Sequence, residues 1–149
     1  PENGRAESFR LRRGALAYGA TPTERTHRVC NVGATTFHNI YIELLTDHEV
    51  GRDRTAAAAS ARLVEFENDR VRALRRILAP GQSTAMHTHA SSGVAVLVTA
   101  GRLEISAPAG AARTSDVKAG AVQWIDAGTT HSLKNVGDAP IEIVDIEPR

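Results

Sequence analysis

Short apolar runs in this chain are cut by turn residues about every 8–12 positions, a spacing that suits an all-β sandwich or barrel. The breaks are Ala79-Pro80-Gly81, Ala100-Gly101, Pro108-Ala109-Gly110, Ala119-Gly120, Asp126-Ala127-Gly128 and Asn135-Val136-Gly137-Asp138. Between them the pattern predicts strands near 61–67, 70–79, 84–89, 94–99, 102–107, 113–118, 121–125, 130–135 and 140–147. Asn68-Asp69 reads as a hairpin turn between the first two. Residues 46–60 behave differently: they are polar, then Ala-rich, with no strand period, and read as a linker or a turn or two of helix.

An internal repeat accounts for the part before that linker. His27, Asn31, Val32 and Gly33 match His131, Asn135, Val136 and Gly137 in one register. Phe37, Ile40, Ile42 and Glu43 then fall opposite Ile141, Val144, Ile146 and Glu147. Upstream, Gly14 to Tyr18 resembles Gly120 to Trp124 once two extra residues before His27 are allowed. Residues 1–45 thus look like the second half of a unit whose complete copy is 61–149. A half-unit has open edges, so it must extend the sheet of the complete copy, pair with another chain, or belong to a first barrel; the alignment of Pro1 with a hairpin favours the last.

Composition narrows the partners. The chain has 149 residues, enough for one domain of ordinary size, and 42% of them are apolar, enough for a core. Its 18 basic and 17 acidic side chains nearly cancel, and only 4% are aromatic, which argues against nucleic acid. Arg70, Arg72, Arg75 and Arg76 alternate with apolar residues and read as solvent faces of strands. No apolar run approaches the ~20 residues of a membrane span. The lone Cys30 cannot close an internal disulfide, so the lean is to the cytoplasm; in its apolar setting it reads as a small buried residue.

The chemistry concentrates in histidines. His87 and His89 flank Thr88 in a strand, so both imidazoles point to one face. His131 opens a strand directly after the tight turn at Asp126-Ala127-Gly128, and is the third candidate ligand. Three imidazoles with open positions would make a catalytic rather than a closed structural site for a first-row divalent ion. His38 and His48 have no partners at ligand spacing; His27 reads as a relic or half of a site. Asn135 is expected to bond backbone near its turn, Trp124 to sit in the core, and Met86 to point away from His87.

Two segments resemble the signatures of the cupin superfamily. Gly81, His87, His89 and Gly101 follow the spacing of the first, and Gly120, Asp126, Gly128, His131 and Asn135 that of the second. The resemblance covers 61–149, with a partial copy in 1–45. It implies a double-stranded β-helix (jelly-roll) barrel with additional N-terminal strands, and His87, His89 and His131 as ligands of a divalent metal: Fe, Mn, Ni or Zn. The family's Glu ligand should fall at position 94, where this chain has Val94. If position 94 faces inward, Val94, Val96 and Val98 line an apolar cavity wall. The absent carboxylate leaves the metal charge uncompensated, which favours an anionic ligand. With no acid in either signature except Asp126, oxygen chemistry of the dioxygenase kind fits better than proton shuttling. The alternatives are a small-molecule binding or sensing module whose metal is structural or lost, and, last, a storage-like bicupin. A homodimer through open sheet edges is expected.

Overall fold

The computed structural model describes residues 7–19, 27–44 and 62–149. Those residues contain nine strands and no helix, so none is long and apolar enough to cross a membrane as a helix. The strands are β1 (Arg62–Glu67), β2 (Val71–Leu78), β3 (His87–Thr88), β4 (Gly93–Leu97), β5 (Gly101–Ser106), β6 (Arg113–Val117), β7 (Val122–Ile125), β8 (Thr130–Asn135) and β9 (Ile141–Pro148). Each lies within a predicted segment or overlaps it to within a residue or so, except that the predicted 84–89 shrinks to β3. There, Ser83 makes only an isolated bridge to Lys134, and Thr84 bonds the Leu133 carbonyl.

Two antiparallel sheets face each other, ordered β1-β2-β9-β4-β7 and β3-β8-β5-β6. Their inner faces meet in a cluster of Leu78, Leu97, Ile141 and Ile143 from the first sheet with Leu103 and Leu133 from the second. Burying one such side chain is worth roughly 1.5–3 kcal/mol, so this cluster holds the sheets together. The register carries the inner face across the first sheet: Leu74 pairs with Asp145, Arg76 with Ile143, Leu78 with Ile141, and Leu97 with Ile143 on its other side.

The expectation that the arginines of β2 face solvent fails for two of them. Arg75 is 9% exposed and Arg76 only 2%. Adjacent on one strand, the two point to opposite faces of the sheet: Arg76 turns toward the second sheet, and Arg75 turns outward among acidic side chains. Arg75 is paired with Glu65 and Glu142, and Arg76 with Asp145.

Asn135, fully buried, closes the end of the barrel. Its amide donates to the carbonyls of Leu78 and Ala139, both at 2.8 Å, and its Oδ1 accepts from the Gly137 amide at 2.9 Å. Asn31 makes the same local turn: its amide donates to Thr35 and its Oδ1 accepts from Gly33.

The described residues of 1–45 contain no strand. Within 62–149, β7 pairs with β4, β8 with β3 and β5, and β9 with β2 and β4. The linker segment 46–60 lies outside the described residues. The chain divides into two compact units, Pro1–Cys30 and Asn31–Arg149. Within the second, the His38 ring lies against Gly120 and the Arg70 guanidinium donates to the Leu44 carbonyl at 3.3 Å. Residues 38–44 thus reach from beside Gly120 to Arg70, with Ile40, Ile42 and Leu44 half-buried and Asn39, Tyr41 and Glu43 exposed. In the first unit Cys30 is exposed, contrary to expectation, because no sheet forms around it.

Candidate metal centre

The turn before β8 and the strand carrying the His-x-His pair are tied together by backbone. The His89 amide donates to the Thr129 carbonyl at 2.9 Å, and the Gly128 amide donates to the His89 carbonyl at 2.8 Å. Gly128 holds φ at 81°, a left-handed value that a side chain would strain. This clamp sets His87 directly opposite His131 in the β3–β8 ladder. His131, Leu133 and Asn135 alternate onto the inner face of β8, so the histidines project into the barrel.

All three imidazoles converge. Their ring centroids are 5.2 Å apart for His87–His89, 4.8 Å for His87–His131 and 5.0 Å for His89–His131. One nitrogen from each lies within 4.8 Å of the others. The Nε2 atoms of His89 and His131 stand 3.2 Å apart. Two nitrogens bound to one ion at about 2.0–2.2 Å come to roughly 3.0–3.5 Å of each other, so this separation fits a shared ion. His87 Nδ1 is held by the Ala85 carbonyl at 2.9 Å, which fixes its ring and directs Nε2 to the centre.

Electrostatics keep His131 in its ligating form. Burial pushes the His131 pKa down to about 4, with further lowering from His87, His89 and Arg76 and a smaller opposing effect of Asp145. At neutral pH its imidazole is uncharged and can donate a lone pair. His89 is buried, whereas His87 and His131 are half-buried, so the site stays open on one side. The donor set fits a divalent first-row ion with open positions.

The expected cavity wall is different. On β4, Ala95 pairs with Asp145 and packs against the central cluster, as does Leu97. Val94 and Val96 pair with Ile146 and Val144 and so lie on the opposite, outer face. Val98 is buried at the strand's end but outside that cluster. The phase of a strand is set by its ladder, and the β4–β9 register puts odd-numbered residues inward. Gly93, also inward, carries no side chain, and a Cβ there would meet the Ile146 carbonyl oxygen at 2.7 Å. Neither position thus brings a carboxylate to the histidines.

Two interior residues escaped sequence reasoning. Arg76 and Asp145 share the inner face and are joined by a 3.0 Å bond from Nη2 to Oδ2. Alternation held the signal: Arg76 stands two residues from Leu74 and from Leu78, and Asp145 two from Ile143. Trp124, expected in the core, is 54% exposed on the outer face of the edge strand β7, its Nε1 donating to Asp126. Met86 is exposed, as alternation predicts, and His38 is not part of the cluster.

Residues 74–147 match the family model of the Cupin domain. Among solved structures the chain is similar to a cupin domain from Bordetella pertussis Tohama I, at 30% identity and a TM-score of 0.56 over 59% of this chain and 91% of that one. It is also similar in fold to a protein with a double-stranded β-helix domain from Klebsiella pneumoniae subsp. pneumoniae MGH 78578, at 23% identity and a TM-score of 0.52 over 64% of this chain and 81% of that one. No curated protein matches it. Jelly-roll strand order, the two histidine-bearing segments and these matches together make the chain a member of the cupin superfamily.

Proposed function

We propose that His87, His89 and His131 hold a divalent metal ion (Fe, Mn, Ni or Zn) and that the barrel acts on a small anionic molecule bound beside it. The observation that carries this reading is the convergence of three imidazole nitrogens inside the barrel, two of them 3.2 Å apart. When bound, such an ion supplies a Lewis acid or oxygen-activating centre. The chain's own part is to position and to exclude water. The Ala85 carbonyl orients His87, and the Thr129 and Gly128 contacts hold His89 against the strand of His131.

Dioxygenase-like chemistry suits a site with few proton-handling groups. The interior acid Asp145 is engaged in an ion pair with Arg76. Metal analysis of the purified protein, followed by oxygen uptake with small carboxylates and diketones, tests this reading. Absence of stoichiometric metal after reconstitution overturns it. The same shortage of acids favours a second reading, a non-catalytic binding or sensing module. Retention of ligand after replacing all three histidines would favour that one.

The chain is also proposed to form a homodimer. The edge strands β1 and β7 expose Leu63, Val64, Val122 and Trp124, and unpaired edges with apolar side chains invite pairing. Light scattering that finds only monomer refutes it. Residues 1–45 are proposed as a second-half copy of the barrel unit, supported by the shared turn of Asn31 and Asn135.

A further inference from the structure

We propose that Arg113 is the second anchor for the ligand of the histidine centre, and that the ligand is an extended diacid with one carboxylate at the metal and the other on this guanidinium. The inference rests on the metal-centre reading above and names the substrate class for it.

Arg113 opens β6, the edge strand of the second sheet. The ladders fix its face and its distance from the histidines. It pairs with Ile105 of β5, and Ile105 pairs with Leu133 of β8, two residues from His131. Leu133 belongs to the central cluster and Ile105 packs against it, so Arg113 stands on the inner face, as His131 does. Two strand spacings across and two residues along put its Cα roughly 12 Å from that of His131. Both side chains project from the same face, so a ligand several carbons long can span the gap.

Three observations separate Arg113 from an ordinary solvated charge. Among the described residues it makes no ion pair or side-chain hydrogen bond, whereas the outward-facing Arg102 of β5 has Asp116 at 3.7 Å. The inner positions of the two neighbouring edge strands, Arg113 and Ser115 of β6 and Gln123 of β7, are exposed, and Ile105 and Ala95 beside them are only half-buried. The sheets therefore part on this side and leave room in front of Ile105. The connections at the histidine end carry small side chains: Ala90-Ser91-Ser92 between β3 and β4, and only Ala, Pro and Gly from Ala107 to Ala112 between β5 and β6. No large side chain from these loops fills the way between His131 and Arg113.

The chemistry of the two ends is alike. Imidazoles bind a metal in their neutral form, and β4 brings no carboxylate, so three of them leave both charges of a bound ion uncompensated. The ion takes one carboxylate. The guanidinium fork takes another in two parallel N–H···O bonds. Ile105, between them, offers an apolar surface to the methylenes that join the two acids.

The test uses the full chain loaded with Co²⁺. It is titrated calorimetrically with succinate, adipate and suberate, and with the monoacids of equal length, butyrate, hexanoate and octanoate. Wild type is expected to bind at least one diacid about tenfold or more tighter than its monoacid. Arg113→Met is expected to bring that ratio to within about threefold, with monoacid and Co²⁺ affinities unchanged to the same margin. The residue is exposed on an edge strand, and an unchanged urea midpoint verifies that the variant is folded. Arg102→Met removes the same charge from the outer face and is expected to keep the diacid preference. No diacid preference in wild type, an unchanged preference in Arg113→Met, or an equal loss in Arg102→Met overturns the inference and leaves the metal centre intact. Failure of wild type to bind Co²⁺ is a different result, one that removes the metal centre and the inference with it.

Discussion

Acidification should destabilise the metal-free protein through His131. Its pKa falls from an ordinary 6.5 in the unfolded chain to about 4 in the barrel, chiefly because burial disfavours the imidazolium. Between these values the unfolded chain binds more protons than the folded one, so stability rises with pH across about 4 to 6.5 and this contribution is flat above. A shift of that size corresponds to roughly 3 kcal/mol if taken whole. His131 is only half-buried, and solvent screening reduces the figure to about 1–2 kcal/mol. Urea unfolding in the presence of a chelator, at pH 7 and at pH 4.5, measures it. Carboxylates titrate in the same range, so the comparison must be made against His131→Gln, which keeps them and removes the imidazole. The variant should lose about 1–2 kcal/mol less than wild type on acidification. Equal losses in the two proteins would refute the claim that the barrel holds this ring neutral.

Other consequences follow from the same geometry. Val94→Glu, although it restores the family's acid at its sequence position, should leave Co²⁺ affinity within about threefold, because the side chain faces outward; a tenfold tightening measured by competition with a chelator would reverse the assigned face of β4. Asn135→Ala removes one amide group that serves two carbonyls and one backbone amide, and should cost about 2–4 kcal/mol in urea unfolding. Gly101→Ala places a Cβ 2.5 Å from Cγ1 and Cδ1 of the fully buried Ile141, and should lower stability by about 1–3 kcal/mol by calorimetry.

Local signals were enough for the strands and for the histidines. Turn residues at short intervals end one strand and begin the next without help from distant parts of the chain. A His-x-His pair shares a face in any strand, and the Gly128 turn commits the next strand to starting beside it. Spacing offered His131 as the third member, the resemblance of the two segments to the cupin signatures strengthened it, and the ladder sets it opposite His87. Asn135 could be read in the same way, since its bonds to Gly137 and Ala139 lie within four residues.

What the chain could not reveal locally was which face of each strand looks inward. β4 is apolar on both sides, so its own pattern carries no phase; only its pairing with β9 turns Ala95 and Leu97 toward the core and Val94 and Val96 away. The same held for β2. Arg75 and Arg76 look like surface residues until the sheet sets Glu65 and Glu142 beside Arg75 and brings Asp145, 69 residues distant in sequence, to Arg76. Burial and charge pairing depend on contacts between strands far apart in the chain, and those exist only once the two sheets have come together.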